Sequence, residues 1–232
     1  EYLDYYAPEM MELMSDYIAA TTVDGAIYGV PCYRIYNSSY YIIMRQDVLD
    51  ELGLTEQAKA IQSWSDYKAI LEQVRDAQDS LPEEMRTNAV ISNQDAQGTV
   101  FTGQYSDIAS DNFSENFGFE TLSDTNKIIY VDENGKVQNY FATDDYRTTI
   151  ERAHEWYQDG LVYKDAATSS DTGDTLMMNG VTFSYVVTSE IGVEHAKGQA
   201  TGYPVVAVEI HDIPVQTSVG NQWAWCVPTT SE

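Results

Sequence analysis

The sequence predicts an α/β sandwich with a mixed, mostly parallel sheet flanked by helices, and three observations predict it. Strand-like runs alternate with helix-like stretches over much of the 232 residues. Apolar residues make up 43% of the chain, enough to bury a sizeable core. The apolar runs are short, as in Val181 to Val187 and Tyr203 to Val208. None approaches the ~20 residues of a membrane-spanning helix.

The elements follow from periodicity and punctuation. Pro8 suits the first turn of a helix to about Ala19, with Met10, Leu13, Met14 and Tyr17 on one stripe. Thr21 to Gly25 breaks it, and Ala26 to Val30 reads as a strand ended by Pro31. Tyr40 to Met44 is apolar at successive positions, so this strand is expected to be covered on both faces. Asp47 to Leu52 is a short helix stopped by Gly53. Ser63, with Asp66 three residues on, starts a helix carrying Tyr67, Ile70, Leu71 and Val74 at helical spacing. Thr99 to Ser110 is expected to be helical. Ile128 to Val131 and Lys136 to Tyr140 flank a turn at Asp132-Glu133-Asn134-Gly135, the pattern of a hairpin. Asp144 or Asp145 is expected to cap a helix with Tyr146, Ile150, Ala153 and Tyr157 on one face, ended by Gly160. Val181 to Val187, Tyr203 to Ile210 and Gln222 to Val227 complete the strands. There is no internal repeat and no low-complexity linker.

Charge narrows the function. The formal net charge is −25, which repels phosphate backbones and anionic lipid, so nucleic-acid binding is excluded as a reading. The 18 Tyr and 4 Trp outnumber the 6 Phe, and rings with one polar end suit half-wet surfaces such as ligand clefts. Cys32 and Cys226 form no zinc pattern. The chain starts at Glu1 without a leader and stops just after a strand-like run, so a piece of a longer exported protein is expected.

A search for catalytic chemistry finds little. His154 lies mid-helix beside Glu155 with no second histidine one turn away, which reads as structural. There is no nucleophile elbow and no phosphate-cradling glycine loop. Carboxylates are too abundant for a glycosidase pair to be picked out. Two distant stretches instead combine flat rings with amide and guanidinium groups: Val30 to Asn37 and Gly220 to Pro228. Rings can stack on sugar faces while Asn, Gln and Arg fix orientation, and core packing is the bland alternative.

The order of motifs carries a resemblance. Val23 to Pro31 (VDGAIYGVP) resembles the first crossing strand of family 1 extracellular solute-binding proteins. Tyr40 to Leu54 resembles that family's next strand and helix, with Arg45 where Asn is usual. Ser63 to Tyr67 resembles its next helix start. Ala142 to Tyr146 and Trp156 to Val162 resemble a later helix, and Gln222 to Ser231 its returning strand. The match is nearest to the lipoprotein-like branch and covers nearly the whole chain.

This resemblance implies a periplasmic-binding-protein-like lobe at residues 26–232, bounded by two hinge-crossing strands, with residues 1–25 belonging to a second lobe. It implies the substrate-binding component of an ABC importer that captures a sugar or oligosaccharide by hinge closure. Such a protein is monomeric, has a permease partner and no cofactor, and is extracytoplasmic and lipid-anchored at the cell surface. It implies ligand contacts at Tyr33, Arg34, Tyr36, Asn221, Gln222, Trp223 and Trp225. By looser analogy it adds Phe101, Tyr105 and Tyr185. Trp64 and Trp156 are expected in the core. If the crossings run side by side, the sulfurs of Cys32 and Cys226 are expected to be close or bonded. The rival readings are a glycoside-processing enzyme, a peptide-binding protein and a surface adhesion module.

Overall fold

A computed structural model describes residues 2–31, 39–92, 106–107, 110–115, 117–118, 120–121, 129–131, 134–166, 168–189, 191–210 and 224–226. The chain divides into two compact units, Glu1–Asn37 with Val215–Glu232, and Ser38–Pro214. Residues 26–31 and 224–226 both belong to the first unit.

The first unit opens with helices α1 (Tyr2–Tyr6) and α2 (Pro8–Met14), then a 3-10 turn over Ile18–Thr21. The helix predicted to Ala19 thus stops early. Met14 and Ile18 are its buried residues, with Met10, Met11 and Tyr17 packed against them, whereas Leu13 is exposed. Strands β1 (Thr22–Val23) and β2 (Ala26–Ile27) pair across Asp24 and Gly25. Both turn residues have positive φ, 51° and 79°, as a tight hairpin turn of this hand requires. Strand β3 (Val30–Pro31) follows.

The second unit is organised on a four-stranded sheet. Its elements are β4 (Ser39–Arg45), α3 (Gln46–Leu52), α4 (Thr55–Lys59), α5 (Trp64–Ala77), β5 (Ala89–Ser92), β6 (Ser106–Asp107), β7 (Phe117–Gly118), β8 (Glu120–Thr121), β9 (Ile129–Val131), β10 (Val137–Asn139), α6 (Asp144–Gln158), α7 (Gly173–Met178), β11 (Thr182–Ser189), α8 (Val193–Thr201) and β12 (Val205–Ile210). The sheet order is β12-β4-β11-β5. Strand β11 is parallel to β5, and β4 is antiparallel to both β11 and β12. The sheet is thus mixed, with β5, β11 and β12 sharing one direction and β4 running against them. The α8 crossover joins β11 to β12 in one direction, as a strand-helix-strand unit does. It skips one strand position, and β4 fills the gap in the opposite sense.

Central placement explains the composition of β4. Ile42, Ile43 and Met44 are fully buried because neighbours cover both faces. Ile42, Met44, Val206 and Val208 pack with Ile70, Leu71 and Val74 of α5. Ile43 and Val205 pack with Met177 of α7 and Val193 of α8. Helices thus lie on both sides of the sheet. At the end of β4, Arg45 is fully buried. Its Nε donates to Asp47 at 3.0 Å, and its guanidinium lies 3.9 Å from the centre of the Tyr203 ring. A planar, weakly hydrated cation tolerates this setting.

The sequence signals for α5 hold in detail. The Ser63 hydroxyl accepts from the Asp66 N–H at 3.0 Å, and the Asp66 carboxylate accepts from the Gln62 N–H at 3.1 Å. Trp64, Tyr67, Phe113 and Trp156 form an aromatic cluster, with Trp64–Phe113 centroids 5.2 Å apart and Tyr67–Trp156 centroids 5.8 Å apart. Both tryptophans are core residues, as expected. Helix α6 needs two corrections. Its cap is Thr143, whose hydroxyl accepts from the Tyr146 N–H, and its buried positions are Thr149 and Trp156. Of the face read from the sequence, Ile150 and Tyr157 are exposed. The bulk of the Trp156 ring outweighs two smaller side chains in setting the helix rotation. The hairpin of β9 and β10 forms as predicted, with Val137 paired to Val131. Of the helix expected over 99–110, Ser106–Asp107 is instead a strand paired with β7, and most of the remainder lies outside the described residues.

Candidate ligand-binding site

Within the first unit, β3 meets the last described strand, β13 (Ala224–Trp225). They run antiparallel, with Pro31 opposite Ala224 and Val30 opposite Trp225. Stretches almost a whole chain apart are thus side by side, as the sequence reading required. Pro31 tolerates this place because a two-residue ladder leaves its missing N–H without consequence.

The sequence-predicted ligand residues flank this pair. Tyr33, Arg34 and Tyr36 follow β3, and Asn221, Gln222 and Trp223 precede β13; all six lie outside the described residues. So do Phe101 and Tyr105. Trp225 is on β13 itself.

Tyr185 has a different place. Its ring is 2% exposed in the second unit, packed with Ile43, Met177 and Val193. Its hydroxyl donates to Asp174, and the Lys197 ammonium lies 2.9 Å from the same carboxylate. Burial, then the hydrogen bond to Asp174 and its charge, raises the phenol far above its ordinary range. A ring so covered offers no face for stacking, and its chemistry here is to tie α7 and α8 to β11.

Cys226 corrects the disulfide expectation. It is a free, exposed thiol. Continuing the β3–β13 register past Trp225 carries it toward Gly29 and away from the Pro31 end. Cys32 lies outside the described residues.

One further concavity lies wholly in the second unit. A groove of about 320 Å³ is lined by Trp64, Lys68, Asp111, Arg152, Glu155 and neighbours. Its polar groups already serve each other. Lys68 binds Glu155 and Asp159, Asp111 accepts from the Ser65 N–H at 3.0 Å, and Arg152 sits 5.6 Å above the Trp64 ring. Among the described residues, no group of three or more His, Cys, Asp or Glu is placed to hold a metal ion. Nor is any described helix long and apolar enough to cross a membrane.

A family model described as "bacterial extracellular solute-binding protein" matches residues 1–232. The chain belongs to this family. Its membership upholds the resemblance read from the motifs and implies an extracytoplasmic location. Solved structures similar to this chain include the N-glycan transport solute binding protein NgtS from Streptococcus pneumoniae, at 18% identity and TM-score 0.59, covering 89% of this chain and 42% of that one. The S. pneumoniae protein FusA in complex with kestose has 16% identity and TM-score 0.55, covering 91% of this chain and 44% of that one. The galacto-N-biose/lacto-N-biose I-binding protein of an ABC transporter from Bifidobacterium longum has 13% identity and TM-score 0.50, covering 88% and 44%. The likeness establishes the fold. The chain spans less than half the length of these structures. No curated protein matches it.

Proposed function

We propose that this chain supplies one lobe of the substrate-binding component of an ABC importer, which captures an oligosaccharide by closing two lobes over it. The observation that carries this reading is the family match over all 232 residues. Similar solved structures favour a sugar: FusA was solved with kestose, and the B. longum protein with lacto-N-biose.

In this reading residues 26–232 form the lobe, bounded by two hinge-crossing strands. Tyr33, Arg34, Tyr36, Asn221, Gln222, Trp223 and Trp225 grip the ligand. Phe101 and Tyr105 add stacking rings. Contacts made only in the closed state shift the equilibrium toward it, so no bond need be made or broken. The full-length protein is a lipid-anchored monomer that delivers its cargo to a membrane permease.

Calorimetry and thermal-shift measurements on the full-length protein against sugars and peptides test the proposal. Stabilisation by an oligosaccharide, without turnover of chromogenic glycosides, is expected. A response to peptides alone overturns the sugar assignment, and glycoside turnover overturns the transport role.

A further inference from the structure

Asparagine is among the chemically labile residues of a protein, and it is most exposed to attack when glycine follows. Glycine has no side chain to shield its backbone nitrogen from the neighbouring amide carbon. In the reaction the glycine nitrogen attacks the asparagine Cγ. A new N–Cγ bond forms, the Cγ–Nδ2 bond breaks, and the glycine N–H proton leaves with the amide as ammonia. Water then opens the cyclic imide at either carbonyl, giving aspartate or isoaspartate. Water is the only co-reactant.

The Asn-Gly pair occurs twice in the chain, at Asn134-Gly135 and at Asn179-Gly180. Solvent access does not separate the two. Both asparagines are exposed, and both glycines have positive φ, 73° and 69°. Backbone hydrogen bonding does separate them. Asn179 ends α7, and its N–H donates to the Thr175 carbonyl at 3.1 Å. The Gly180 N–H donates to the Met177 carbonyl at 2.9 Å, and the Val181 N–H to the Leu176 carbonyl at 2.8 Å. The attacking nitrogen is therefore tied into a helix C-terminal cap, and swinging it toward the side chain would break the bonds around it. Asn134 and Gly135 instead lie beyond the last pair of the β9–β10 ladder, Val131 with Val137. Among the described residues, no carbonyl accepts from the Gly135 N–H.

We propose that Asn134 is a site of spontaneous deamidation in the native protein and that the cap of α7 protects Asn179 from the same reaction. Conversion adds a negative charge next to Asp132 and Glu133 in the sequence. The isoaspartyl product also lengthens the backbone of the loop joining β9 to β10 by one carbon.

The test incubates the full-length protein at mildly alkaline pH, native and in denaturing urea. Peptide mapping follows the mass gain of amide-to-acid exchange at each Asn-Gly pair, and isoaspartyl methyltransferase labelling follows isoaspartate. Native Asn134 is expected to convert roughly tenfold or more faster than native Asn179, the factor that loss of two backbone hydrogen bonds represents. In urea the two rates are expected to converge, because the cap is gone. Asn134→Gln is expected to remove most isoaspartate from the native protein. Comparable native rates, or a faster Asn179, overturn the inference. A native Asn134 that stays unconverted overturns it too. A gap that persists in urea traces the difference to flanking sequence and overturns the role of the cap.

Discussion

The hydroxyls of Tyr67 on α5 and Ser184 on β11 share a hydrogen bond in the buried core, across 117 residues of chain. Helix and sheet meet there through a polar contact set in an otherwise apolar layer, and burial raises the phenol far above its ordinary range. Tyr67→Phe leaves the Ser184 hydroxyl unpaired and is expected to cost about 1–3 kcal/mol in urea denaturation. Ser184→Ala is expected to cost a similar amount. The double variant should lose less than the sum, because no buried polar group then remains unpaired. Strict additivity would mean that the two hydroxyls are independent.

Gly173 begins α7 directly against the ring of Tyr185. A Cβ built there would lie 2.5 Å from two ring carbons and 2.9 Å from the Tyr185 Cβ. The ring cannot withdraw, since it is buried and held through its hydroxyl by Asp174. Gly173→Ala is expected to destabilise by about 1–3 kcal/mol through overpacking. Adding Tyr185→Leu should relieve part of that loss, and a thermal midpoint for each variant checks both statements.

Lys68 links α5 to α6, reaching Asp159 at 2.8 Å and Glu155 beside it. Hydrogen bonds to Asp159, then Glu155, raise its ammonium to about 12. Its folded pKa exceeds the unfolded value of roughly 10.4, so the stabilisation is fully present below that pH. It is lost as pH rises through about 12. Lys68→Met is therefore expected to cost about 0.5–1 kcal/mol at pH 7, the range for exposed partners, and less in high salt. Urea titrations of both proteins at pH 7 and at high pH should show the gap narrowing.

Cys226 is expected to react with a maleimide in the native protein without prior reduction, because its thiol is free and exposed. Peptide mapping should find the label on the peptide bearing Cys226, and Cys226→Ser should remove it. A Cys226 that labels only after reduction would mean that it is bonded after all.

Local signals and tertiary choices separate cleanly along this chain. Sequence alone determined the alternation of strands and helices, the cap at Ser63, the stop at Gly53 and the double-sided burial of β4. Each depends on residues within a few positions of each other or on plain composition. It also brought Pro31 and Ala224 together, through motif order rather than local chemistry. It passed over α7 and α8, although Thr172 caps the first, with its hydroxyl accepting from the Thr175 N–H, and Gly192 and Gly202 bracket the second. Tertiary structure alone decided that β4 runs against its neighbours, that Trp156 turns α6 so that Ile150 faces water, and that Tyr185 lies under α7 rather than at a surface. Those outcomes depend on which distant side chains compete for the same buried volume, and that competition exists only once the layers have packed.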